Sequence, residues 1–275
     1  MPVNRFWSSV GSVLGYLAGI GLLQYILVQV GTGFGLLPEP FRTPVALVVS
    51  TIVPVVGTMY YLDWRWSWKG EHIGLSRSPG TAASKWLLGF AAGVAGALIA
   101  HVLSESIAAQ AFTLTMPDLR LAVSPLVLVF SLLQLFVAEL IFRGAAISRL
   151  QADLSPQEVL LGAPLIPIAW FIISRIFRFG FLPMGIEVGW DIAATLFVTL
   201  LFLRTDSVWL SAGLRMGFAG AVSLLTLGVT AQGGNIVWGI GALILLVQEW
   251  TKLQRAPKRM QQRGRTTRGP WGGPH

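Results

Sequence analysis

The sequence predicts an all-α, polytopic membrane protein, a bundle of about eight transmembrane helices. Three observations predict it. Hydrophobic residues make up 54% of the chain and charged residues only 12%, whereas a soluble domain carries about 25% charged residues. The mean hydropathy is +0.68. Apolar runs approaching the roughly 20 residues that cross a hydrocarbon layer recur along the whole chain. A water-facing surface cannot be built from so little charge, so lipid is the solvent for most of the chain.

The elements follow in order. The N-terminus, MPVNRFWSSV, places one Arg ahead of a long apolar stretch. A signal peptide needs a shorter core and a small-residue cleavage site, so the first helix, about Val10 to Val30, reads as a retained signal anchor. Gly31, Gly33 and Gly35 mark the loop after it. The second helix covers about Thr43 to Leu62 and the third about Lys85 to Gln110. In the third, Gly89, Gly93 and Gly96 leave a small-residue face that lets another backbone come close, a packing device rather than chemistry. The fourth runs from about Pro125 to Leu150, the fifth from Val159 to Phe181 and the sixth from Gly185 to Leu203. The seventh spans about Val208 to Val229 and the eighth about Ile236 to Trp250. No internal repeat is visible. A transmembrane domain over 1–252 is thus followed by a basic tail over 253–275, whose Gly-, Arg- and Pro-rich end is expected to be disordered.

The charge distribution orients the bundle. The net charge is +8, and seven of the 20 basic residues follow the last apolar run. A basic segment beside a membrane helix fixes topology and meets anionic membrane lipids, so no nucleic-acid partner is expected. With both termini inside, Arg5, Arg65, Lys69, Arg77, Lys85, Arg143, Arg149, Arg204 and the tail all lie inside, and only Arg42 and Arg120 outside. That asymmetry puts both termini in the cytoplasm, in a bacterial-type inner or cytoplasmic membrane. Trp64, Trp66 and Trp68, between Arg65 and Lys69, read as an interfacial belt on that face. The chain has no Cys, which excludes disulfides, thiol catalysis and cysteine-held metals.

Three basic residues fit no loop: Arg175 and Arg178 on the fifth helix and Arg215 on the seventh. An intramembrane charge is costly unless paired or hydrated, so each marks a site. Arg175 and Arg178 lie near a helix end and have snorkelling as an equal alternative; Asp191 and Glu187 on the sixth helix are their candidate partners. His101 and Glu105 stand one turn apart on the third helix, a spacing that can hold a metal. Two ligands make a poor site, so a hydrogen-bonded pair is the simpler reading, and neither metal nor cofactor is expected.

The most informative stretch is Phe136-Val137-Ala138-Glu139-Leu140-Ile141-Phe142-Arg143-Gly144. Glu139 and Arg143, four apart, share a helix face and can pair. Here the chain resembles the CAAX prenyl protease and bacteriocin-processing (CPBP) family, whose first motif reads Glu-Glu-x-x-x-Arg. His72-Ile73-Gly74-Leu75-Ser76-Arg77 resembles the family's approach to its core. Ser174 to Phe181 resembles the second motif, Phe-x-x-x-His, and Leu203 to Trp209 with Gly213-Leu214-Arg215 resembles the run into the third, His-x-x-x-Asn. The likeness covers about 71–223 in the family's order.

The resemblance implies a helical bundle in which a Glu, two His and an Asn activate water for peptide hydrolysis. At those places this chain has Ala138 for the first Glu, Phe181 and Arg215 for the His residues, and Ala219 for the Asn. Hydrolysis needs a base and oxyanion donors around one water, and this set supplies no base. Glu139 and Arg143 remain, with Glu139 rotated by about 100° from the first-Glu position and so expected to point elsewhere. Arg215 is expected to pair with Glu139 and fill the former water site. Three functions are carried. The first is a catalytically silent scaffold, assembly factor or accessory subunit among other membrane-protein subunits, with room for a lipid or another hydrophobic ligand. The second is an intramembrane endopeptidase of altered or low activity. The third is a transporter or channel, for which no inverted repeat speaks.

Overall fold

The computed structural model describes residues 3–33, 48–49, 51–60, 63, 74–75, 78–109, 125–179, 186–225 and 227–255. Its elements are α1 (Val3–Gly33), α2 (Thr51–Tyr60), α3 (Pro79–Ala109), α4 (Pro125–Glu139), a π-helical segment (Leu140–Ile147), α5 (Ser148–Asp153), α6 (Pro156–Phe179), α7 (Ile186–Thr205), α8 (Val208–Leu224) and α9 (Ala231–Arg255). α4, the π segment and α5 form one continuous rod, so the described residues make eight helical rods without a strand. Three of them, α1, α3 and the α4–α5 rod, are long and apolar enough to cross a membrane; Thr51–Tyr60, Ile192–Thr205 and Val208–Leu224 are shorter apolar helices.

Each rod answers to an apolar run of the sequence, with differences: α1 begins at Val3, ahead of Val10, and α9 spans Ala231–Arg255 rather than Ile236–Trp250. α3 begins at Pro79, ahead of Lys85, and α8 stops at Leu224 rather than at Val229. The fourth helix is not a plain α-helix, because it widens into π geometry over Leu140–Ile147. Nothing in the period of LIFRGAAI announces that widening, since the residue types suit either helix.

The closest packing joins α3 to α8, and the glycines explain it. A Cβ on Gly89 or Gly93 would collide with the carbonyl oxygens of Leu210 and Leu214. Reciprocally, a Cβ on Gly213 or Gly217 would collide with those of Trp86 and Phe90. Both helices therefore present Gly-x-x-x-Gly faces to each other, and backbone lies on backbone. α9 packs on α7 and on α3, while α4 lies against α8.

Two cores result. One gathers Val13 and Leu17 of α1, Leu140, Ala145 and Ile147 of the π segment, Ile166 of α6 and Phe202 of α7. The other gathers Ala97, Ala100, Val198, Leu214 and Phe218 around Trp238, whose ring meets those of Phe197 and Phe218. α7 and α8 are joined by a tight elbow in which Asp206 takes φ 48, in the left-handed region. Gly74, at φ 77, accepts there from the Val208 amide at 3.3 Å. The second core and the α3–α8 contact fix α8, and the first core fixes the π segment against it.

Candidate functional site

Glu139 is the last residue of α4, at the point where the helix widens. Its side chain is fully buried, and Arg143, inside the π segment, is 1% exposed. Arg143 Nη1 donates to Glu139 Oε1 at 3.0 Å, and its Nη2 donates to the Thr195 carbonyl of α7 at 3.2 Å. Arg215 of α8, 27% exposed, donates from Nη1 to the same Glu139 Oε1 at 3.0 Å. One carboxylate oxygen thus accepts from two guanidinium groups, and the three side chains tie α4, α7 and α8 together. Among the described residues, Glu139 Oε2 and Arg143 Nε have no hydrogen-bond partner and are buried.

The local sequence builds this cluster. Four-residue spacing brings Arg143 back over Glu139. The Gly-faced contact of α8 with α3 holds Arg215 in place, and α4 crosses α8 with Leu132 near Gly220 and the rings of Phe136 and Trp209 at 5.1 Å. The pairing expected between Arg215 and Glu139 is present, at 3.0 Å. The Glu139 carboxylate accepts from Arg215 across the contact of α4 with α8. The inside set is corrected. Arg143 is in the core rather than in a cytoplasmic loop, while Arg149, paired with Asp153 at 3.0 Å, and exposed Arg204 lie at a bundle end.

The remaining expected site residues fall as follows. Ala138 and Ala219 are half-buried on α4 and α8, beside the cluster in sequence. Arg175 and Arg178 lie on α6, and Glu187 and Asp191 on α7, but their side chains fall outside the described residues. Phe181 and His72 fall outside them altogether. His101 is buried and Glu105 half-buried on α3, and both meet the turn between α8 and α9: a Cβ on Gly228 would stand 3.0 Å from Glu105 Oε1 and 3.9 Å from His101 Nδ1. Among the described residues no three His, Asp or Glu side chains gather as metal ligands.

Sequence reasoning passed over Ser104, which does more structurally than its neighbours. Its hydroxyl donates to the Ala100 carbonyl at 2.7 Å and accepts from the Thr230 amide at 2.9 Å and the Thr230 hydroxyl at 3.1 Å. The signal was available: Gly93, Ala97, Ala100 and Ser104 form one small-residue stripe at helical spacing, which only a close neighbour would require.

Residues 120–221 match the family described as Type II CAAX prenyl endopeptidase Rce1-like. No curated protein and no solved structure matches the chain.

Proposed function

We propose that this CPBP-type membrane protein, whose residues 120–221 match the Rce1-like, type II CAAX prenyl endopeptidase family, is a catalytically silent member. In this reading it serves as a scaffold, assembly factor or accessory subunit among other membrane-protein subunits. One observation carries it. Arg215, at the place of the family's third-motif His, donates to Glu139 at 3.0 Å where a family member would position water. An arginine keeps its proton and cannot serve as a base. Oε1 of Glu139 is already engaged by two guanidiniums, and Ala138 offers no second carboxylate.

A second reading rests on a different atom. Glu139 Oε2 is a buried acceptor without a partner among the described residues, and a carboxylate oxygen so placed is what a low-activity endopeptidase would use to hold water. The transporter or channel reading draws no support from the geometry. The silent reading includes a bacterial-type inner membrane, both termini cytoplasmic, and no metal or cofactor.

The test is cleavage of a prenylated, membrane-anchored peptide reporter by the purified wild-type chain and by Glu139→Gln. The silent reading expects both at background. Turnover by wild type that is lost in Glu139→Gln overturns it in favour of the endopeptidase. Extraction of the native membrane in mild detergent, with identification of co-eluting chains, then separates a subunit from a free protein.

A further inference from the structure

Arg204 lies in the last turn of α7, and Lys252 lies one turn before the end of α9. α7 and α9 pack together, and Arg204 Nη1 donates to Gln248 Oε1 across that contact. Lys252 Nζ donates to Glu249 Oε1 at 2.6 Å. Arg204, Val247, Gln248, Thr251 and Lys252 line a shallow cleft of about 300 Å³. Arg204 spends one N–H on a neutral amide and has no carboxylate partner among the described residues, so the cleft keeps a net positive charge even with Glu249 beside Lys252.

An apolar stripe runs into this cleft. Ile240, Leu243, Ile244 and Val247 recur at helical spacing on α9, and each is more than half exposed. On a membrane helix such a face lies against acyl chains. Trp250, half-exposed one turn further on, suits the level where hydrocarbon gives way to headgroups. The 20 residues after Arg255 carry Lys258, Arg259, Arg263, Arg265 and Arg268 and no acidic residue. Their field draws anionic rather than zwitterionic lipid to this end of the bundle.

The geometry points to a binding site for one anionic phospholipid at the tail end of α7 and α9. Its phosphate sits between Arg204 and Lys252, and its polar headgroup meets the Gln248 amide and the Thr251 hydroxyl. An acyl chain lies along Val247, Ile244, Leu243 and Ile240. The charge excess selects the anionic class, and the stripe distinguishes a lipid from a free phosphate.

The full-length protein in mild detergent, titrated with phosphatidylglycerol or with phosphatidylcholine of the same chains, tests this by native mass spectrometry. The wild type is expected to retain one tightly held phosphatidylglycerol in preference to phosphatidylcholine. Arg204→Gln with Lys252→Gln is expected to weaken that retention about tenfold or more, while Arg204→Lys with Lys252→Arg restores most of it. A variant with the five tail bases changed to Gln keeps the tightly held lipid. Equal retention of both lipids overturns the proposal. So does unchanged retention in the double Gln variant, loss on removal of the tail bases alone, or equal competition by glycerol 3-phosphate, which has no chain to lie on α9. The positions are exposed, and an unchanged melting temperature shows that the variants fold. The outcome leaves the reading of Glu139 untouched, since the two sites share no residue.

Discussion

At the scale of the residue, one atom organises the candidate site. Glu139 Oε1 accepts from both Arg143 and Arg215, so removing the negative charge leaves two guanidiniums facing each other. Glu139→Gln is expected to destabilise the fold by about 3–5 kcal/mol, the cost of breaking a buried ion pair from one side. Arg215→Met should cost clearly less, because Arg215 is partly exposed and its loss leaves the Glu139–Arg143 pair intact. Thermal unfolding in detergent gives the ordering; equal losses would mean that Arg215 matters as much as the carboxylate. Ser104→Ala strips the Thr230 amide of its acceptor and leaves its hydroxyl only the Gly233 amide, and is expected to cost about 1–3 kcal/mol. The same melting experiment reads it, with amide exchange at the start of α9 as the local signature.

The candidate site was legible in part at this scale. Arg143 could be read from its four-residue spacing to Glu139, and Arg215 because an intramembrane charge must be accounted for, with Glu139 the nearest carboxylate expected within the membrane. That both donors converge on a single oxygen, and that Arg143 also reaches the Thr195 carbonyl, follows from the relative placement of three helices. No spacing within one helix encodes it.

At the scale of the element, glycine and capping chemistry decide where helices lie and begin. Gly217→Leu would drive a side chain into the Phe90 backbone, and is expected to cost about 3 kcal/mol or to abolish the fold. A Cβ on Gly239, by contrast, meets nothing within 4 Å. Gly239→Ala is therefore expected to be neutral or to raise stability by up to about 1 kcal/mol through helix propensity. Melting of the two variants side by side checks the interface, since a purely propensity-based effect would move both the same way. The start of α6 is set by Ser155-Pro156-Gln157-Glu158. Glu158 Oε2 accepts from the Ser155 amide at 2.8 Å and from its hydroxyl at 2.6 Å, with Pro156 in the first helical position. That boundary carries a four-letter signature, although the helix was expected from Val159, whereas the π segment carries none.

At the scale of the molecule, eight rods were legible because hydropathy alone reports which stretches leave water. The pairing of α3 with α8 was half legible: Gly89 and Gly93 announced a close partner, and only the fold identifies it as Gly213 and Gly217. The basic count also survives the removal of Arg143 from the loops, since the tail carries most of the excess. Fusions of a cytoplasm-dependent fluorescent reporter at Met1 and at His275 are both expected to fluoresce, and an insertion within 110–124 is expected to stay dark. A dark C-terminal fusion would reverse the proposed orientation.

The widened turn between Leu140 and Ile147 has a bearing on genealogy. Such a turn accommodates one surplus residue, so the stretch before it and the stretch after it run in different angular frames. A relative whose helix is regular there would be one residue shorter, and would align with a gap somewhere in those eight positions. Counting back from Ser148, rather than forward from Phe136, moves a relative's residue from opposite Ala138 to opposite Glu139. Where an extra residue sits therefore decides which position of this chain lies opposite a given residue of a regular relative.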